Sequence, residues 1–489
     1  MAVETATEER KRVTARFPRR SSRGIIMGLG KAQLALLGVA FLSVIASFTT
    51  QRWIVFGAVV LVSLALVPTW FTGRPLIGWV PLLWQWIRRS VRGQRKYRVR
   101  PLTPRPAGTL GLPGDAARLR VLAEPLTGAG LVHDPTKQTL TAVALIEPAD
   151  SFALSEGDQQ DVVAGGWGSL LASFCTDASN GVSRVGAVLR AVSDGGEEIT
   201  NWFRAQGTSA VSAEAYEAYE DYLAGSRTDS IRHEAFLSIT LDMKSRGVAA
   251  LIRQSGGGVT GGAEVLRSRM EYLRSQLSSA ALSFQWWVSS DDVAVLTRTA
   301  YDPDAQPELE AHPEVGRSLA GAGPMALDEA FTYFRTEAGY QRVLLVVEWP
   351  RKETTAGFLQ HLIVAQVRHT FALICEPIPT RKAMNQARRA STSAETSRQW
   401  ERKSGAVDTV ERKKERRALE REEEALEAGH GALNFAGLVT VSGATLDELR
   451  VATEQVRTAA LRSGCELRII GGEQASAFIA GALPFGRGL

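Results

Sequence analysis

TLTAVALIE, Thr139 to Glu147, alternates in a period of two and ends in the charge and proline of Glu147 and Pro148, the pattern of a strand whose two faces meet different surroundings. The same reading recurs down the chain. HEAFLSITLDM (His233 to Met243), RVLLVVEWP (Arg342 to Pro350), HTFALICEPI (His369 to Ile378), ALNFAGLVTVSG (Ala432 to Gly443) and CELRIIGG (Cys465 to Gly472) all read as strands, with shorter ones at Arg118 to Ala123, Gly130 to His133 and Gly181 to Val192. Between them lie apolar-periodic helices: Ser155 to about Thr176, Ala263 to about Ala281, Ser289 to Tyr301, Phe358 to Val367, Thr445 to Ser463 and Glu473 to Leu483. Acidic, alanine-rich helices are expected over Glu197 to Ala205 and Ser212 to Ala224. Strand, helix, strand in two rounds, with the sheet covered on one face, predicts an α+β fold with two ferredoxin-like strand-helix repeats.

The chain has 489 residues, more than one hydrophobic core sustains, so more than one domain is expected. Hydrophobic residues are 45% and charged residues 22% of the total, which excludes wholesale disorder and a polytopic membrane protein. Pro101 to Pro113 reads as part of a linker (101–117), ahead of subdomains at 118–330 and 340–489, and 304–330 as surface loop. A charged insertion over 381–429, containing ERKKERRALEREEEALEAG, pairs Glu with Arg at i, i+3 and i+4 and predicts a long solvated helix or an antiparallel helical pair, with a partner-docking arm as the sharper reading.

Toward the start, AQLALLGVAFLSVIASFT (32–49) and WIVFGAVVLVSLALVPTW (53–70) carry no charge, and at about 1.5 Å per residue each covers roughly 27 Å. They are expected to form a transmembrane hairpin; a signal peptide is the weaker reading, because a second run of equal length follows the first. Basic residues in the leader 1–31 and after the hairpin predict a two-pass inner-membrane protein with both termini cytoplasmic. The segment 73–100 is expected to lie at the interface against anionic lipids, with Trp53, Trp70, Trp79, Trp84, Trp86, Arg88, Arg89 and Arg92 as interface residues. Interleaved basic and aromatic residues also suit a nucleic-acid arm, the alternative for this segment.

Chemistry is sparse. No GxxxxGK[ST] loop occurs; GLGKA from Gly28 lacks the first glycine and the hydroxyl. Six histidines form no HxxxH or HExxH pair, and Cys175, Cys375 and Cys465 form no CxxC, so neither a metal site, a cofactor site nor a disulfide framework is expected. GxSxG is absent, and SGGGVTGG (255–262) reads as a flexible connection. The chain is read as not an enzyme.

The hairpin with its basic flanks, together with GLVHDPTKQTLTAVALIEPADSFAL from Gly130 and the closing ASAFIAGALPFGRG, resembles actinobacterial membrane proteins encoded with conjugative, type IV secretion-like systems. The first part is similar to a PrgI-type two-helix subunit and the rest to the non-catalytic N-terminal half of the traffic ATPase. That resemblance implies a scaffold in a hetero-oligomeric complex, docking a separate ATPase. The EccE subunit of type VII secretion is similar in layout, a membrane-tethered enzyme with an unfamiliar site is a second class, and a DNA-contacting module using Arg381, Lys382, Arg388 and Arg389 is a third.

Overall fold

A computed structural model describes residues 31–50, 57, 59–61, 79–100, 105–148, 155–176, 180–193, 203, 205, 212–225, 231–312, 314–403, 417, 420–421, 423–427 and 431–488. Helix α1 spans Lys31–Thr50 and α2 Val80–Val91, followed by the short strand β1, Lys96–Arg98. Then come β2 (Arg120–Ala123), β3 (Gly130–Asp134), β4 (Thr139–Pro148), α3 (Gly157–Thr176), β5 (Val182–Ser193), α4 (Ala213–Gly225), β6 (Ile231–Asp242), α5 (Arg246–Gln254), α6 (Gly258–Leu277), β7 (Leu282–Trp287), α7 (Ser290–Tyr301) and α8 (Gln306–Ala311). The second round contains β8 (Ala326–Glu329), β9 (Phe334–Thr336), β10 (Tyr340–Glu348), α9 (Gln360–Ile363), β11 (His369–Ile378), α10 (Thr380–Lys403), β12 (Ala432–Gly443), α11 (Leu446–Arg462), β13 (Glu466–Ile469) and α12 (Gln474–Gly481).

All thirteen strands belong to one antiparallel sheet. In the first round the spatial order is β7-β4-β6-β5, and in the second β13-β10-β12-β11. Numbering each round's four strands from its start, both orders are 4-1-3-2, the split βαβ arrangement. The two rounds join where β5 and β11, each the second strand of its round, pair from His369↔Ala191 to Cys375↔Val185. Each round also begins with a hairpin, β2–β3 or β8–β9, whose second strand lies beside the start of β4 or β10. In each round the last strand is followed by a helix, α7 or α12, packed in one shared core.

Strand alternation divides the core into layers. On β4, Leu140, Ala142 and Ala144 enter a core built with α3, α5 and α6, whereas Val143 enters the shared core on the opposite face. On that first face, α9 and α11 cover the second round through Leu344, Val439, Val441, Leu449 and Val456. Helices therefore cover both faces of the sheet, not one, and β4 is apolar at nearly every position for that reason. Phe478 of α12 is fully buried, with ring centroids 4.6 Å from Tyr301 and 5.1 Å from Phe334. Burying one such side chain stabilises by about 1.5–3 kcal/mol. Leu110 and Leu112, inside the stretch read as linker, are 1% exposed and close the same core.

After α12 the chain crosses back to the first round as a strap. Phe485 is buried, and Gly486 has φ +63 with no room for a Cβ, which would lie 1.8 Å from Thr240 Oγ1. The Thr141 hydroxyl donates to the Phe485 carbonyl (3.2 Å), Arg184 Nη1 donates to the Gly486 carbonyl (3.3 Å), and Arg487 Nη2 reaches Asp134 and Asp115 at 3.0 Å each.

Among the described residues no helix is long and apolar enough to cross a membrane. This corrects the expected transmembrane hairpin, and with it the two-pass inner-membrane placement. Of the second expected span, only 57 and 59–61 are described, as helix. Within α1, Ala40 and Ser43 are buried, and the Ser43 hydroxyl returns to the Val39 carbonyl at 2.8 Å. The architecture is an α+β domain organised around a large antiparallel sheet.

Candidate docking surfaces

Two kinds of surface stand out on this frame. The first is α2. Its start is fixed by Pro81, whose missing N–H is no loss in a first helical turn. One side of the helix is docked on the second round. Trp79 stacks on Phe331 at 6.4 Å and Trp86 meets the same ring edge-on at 5.5 Å, while the Arg95 guanidinium lies 4.4 Å over Trp86. Phe331 can sit there because Gly471 backs it: a Cβ at 471 would lie 2.7 Å from the ring.

Beside the rings, Arg89 Nη1 donates to the Gly472 carbonyl at 3.0 Å and Nη2 to Glu329 at 2.5 Å. The Glu329 side chain is 1% exposed and also accepts the Ala475 N–H at 3.0 Å. Burial pushes its carboxyl above the usual range, against the lowering by the Ala475 amide and Arg89. Of the residues picked from sequence as a lipid interface, Trp79, Trp86 and Arg89 thus face protein. Trp84, Arg88 and Arg92 face outward, and Trp53 and Trp70 lie outside the described residues.

The outward side of α2 is apolar. Val80, Leu83, Trp84, Ile87 and Val91 are 47%, 44%, 66%, 53% and 83% exposed. Spaced i, i+3, i+4, i+7 and i+11, they form a stripe about 100° wide.

The second kind of surface comes from the β5–β6 and β11–β12 connections, which occupy the same place in each round. Both carry helices. In the first, Phe203 lies 5.0 Å from Tyr216 and 4.6 Å from Tyr219, with Tyr222 6.2 Å beyond; Tyr219 and Tyr222 are 42% and 66% exposed. In the second, α10 leaves β11 directly and is held at its base by Ala383 and Ala387 against Leu426. Farther out, the Ser391 hydroxyl donates to Glu423 at 3.0 Å, so the charged insertion doubles back on itself. Arg381, Lys382, Arg388 and Arg389 are exposed on α10, and among the described residues they carry no ion pair. Because β5 and β11 run antiparallel, the two insertions emerge at opposite ends of the sheet.

Sites for chemistry are built differently. Among the described residues no three His, Cys, Asp or Glu stand where they would hold a metal ion. Cys175, Cys375 and Cys465 are buried thiols; burial pushes Cys375 up to about 12 and Cys465 up to about 11. A partly buried polar cluster joins Arg190 to Glu234 (3.3 Å) and Thr299 (2.9 Å), and Arg232 to Glu234 (3.0 Å) and Glu310 (2.5 Å). Its charges neutralise one another and tie α7 and α8 to β5 and β6, a structural role. No family model matches the chain, and no curated protein matches it.

Proposed function

We propose that the chain is a non-catalytic docking platform of a translocation machine of the type IV or type VII kind, and that it holds a separate traffic ATPase. The reading rests on one observation: both rounds replace the same hairpin turn with a helical insertion, presenting aromatic side chains at one end of the sheet and, at the other, exposed cations that carry no ion pair among the described residues. Exposed tyrosine and arginine are the side chains that dominate protein-protein contacts. The apolar base of the arm fixes its direction, as a docking element requires.

The test is crosslinked affinity purification of the full chain from its own cells. It is compared with a variant whose arm is cut at Ser391 and rejoined at Glu423, leaving the base intact. The full chain should recover an ATPase, and the shortened arm should lower that recovery about tenfold. Equal recovery, or no ATPase with either, overturns the reading. The four α10 cations also favour a nucleic-acid contact as a second reading. Binding of single-stranded DNA that weakens steeply with salt and is lost in Arg388→Glu/Arg389→Glu would support it, and no binding at low salt would remove it.

A further inference from the structure

From the outward face of α2 we infer a third docking site, one that takes an amphipathic helix with an acidic flank from a partner protein. It is separate from the two insertions, and its failure would leave the platform reading standing. The stripe from Val80 to Val91 covers three turns at the spacing with which one helix packs along another. Arg88 and Arg92 flank it one turn apart, are exposed, and carry no ion pair among the described residues. From Trp79 to Gly114 the sequence has no acidic residue that would neutralise them.

Three occupants compete for such a face. A second copy of this helix would lay cations on cations, which charge repulsion opposes. A lipid surface would engage tryptophans at headgroup depth, yet Trp79 stacks on Phe331 and Trp86 meets it edge-on, and among the described tryptophans of this segment only Trp84 faces outward. An acidic-flanked helix matches both the stripe and its charged edge. The docking of Trp86 and Arg89 holds α2 rigid for that purpose, so little ordering cost remains on this side.

The full chain is titrated with two fluorescent amphipathic peptides of about 20 residues, sharing one leucine face and carrying either glutamate or lysine on the flanks. The glutamate peptide should bind about tenfold more tightly at low salt. Trp84→Ala/Ile87→Ala should abolish binding of both, and Arg88→Glu/Arg92→Glu should reverse the order of the two. All four positions are exposed, so these variants keep the fold, checked by circular dichroism. Equal binding of both peptides, binding of neither, or loss of phosphatidylglycerol-vesicle binding in Trp84→Ala/Ile87→Ala without any peptide binding would overturn the inference.

Discussion

Replacing Arg487 by alanine should destabilise the fold by about 3 kcal/mol. The Arg487 side chain is 7% exposed and its partner Asp134 4%, with the guanidinium Nη2 3.0 Å from Asp134 Oδ2. Removing one member of a buried pair costs about 3–5 kcal/mol, because the remaining charge is stranded. The lower end applies here, since Asp134 Oδ1 keeps the N–H groups of Thr136 (2.9 Å) and Lys137 (3.0 Å). The second contact, to Asp115, is 60% exposed on the aspartate side and should contribute about 0–1 kcal/mol. Urea unfolding of single and double variants separates the two. A double-mutant cycle should give a coupling of about 2 kcal/mol for Arg487 with Asp134 and under about 0.5 kcal/mol for Arg487 with Asp115. A loss below about 1 kcal/mol for Arg487→Ala, or equal couplings, would refute the claim that the strap is locked by the buried contact.

Three further outcomes are expected. The Tyr301 hydroxyl is buried without a hydrogen-bond partner among the described residues, so Tyr301→Phe should leave stability unchanged or raise it by up to about 1 kcal/mol in the same urea assay. Burial lowers the pKa of both His133 and His369. The stability they contribute is therefore present above about pH 6.5 and is lost as pH falls through their lower folded values; His133→Leu should flatten the stability-pH slope below pH 6.5. Finally, the three buried thiols should stay unmodified by iodoacetamide at pH 8 in the native protein and react once urea unfolds it, as measured by mass spectrometry.

Much of the sheet is legible in the sequence because alternation is a local property. TLTAVALIE, HEAFLSITLDM and ALNFAGLVTVSG lie within β4, β6 and β12 to within a residue or two. Thr445, read as the start of a helix, accepts the Glu448 N–H as its cap. Other elements are invisible for physical reasons. LSFQWW of β7 lacks a clean period because it borders only β4 along its paired side, and β8 and β9 are too short to set a pattern inside a stretch rich in proline and glycine. Helix α6 begins at Gly258, inside SGGGVTGG, where packing of Gly261 against the Ile252 carbonyl outweighs poor helix propensity.

The candidate surface on α2 was only half legible. Its amphipathic pattern gives the helix, but which side is taken depends on Phe331, Glu329 and Gly472, hundreds of residues downstream. The apolar runs at 32–49 and 53–70 read as a hairpin because hydropathy counts residues in sequence, whereas among the described residues no helix meets the length and apolarity that crossing requires. The equivalence of the two insertions could not be seen at all before the strand order was known, because their sequences share neither composition nor length.

The seam between β5 and β11 has a consequence for how the chain is made. Once β5 has left the ribosome, its outer side has backbone donors and acceptors with no mate, and the strand that will cover them is about 180 residues away. At roughly 5–20 residues per second, that margin stays bare for about 10–40 s. Bare margins recruit foreign strands. Nascent chains of this protein should accordingly depend on chaperones during one window of synthesis, which closes when His369 through Cys375 emerge.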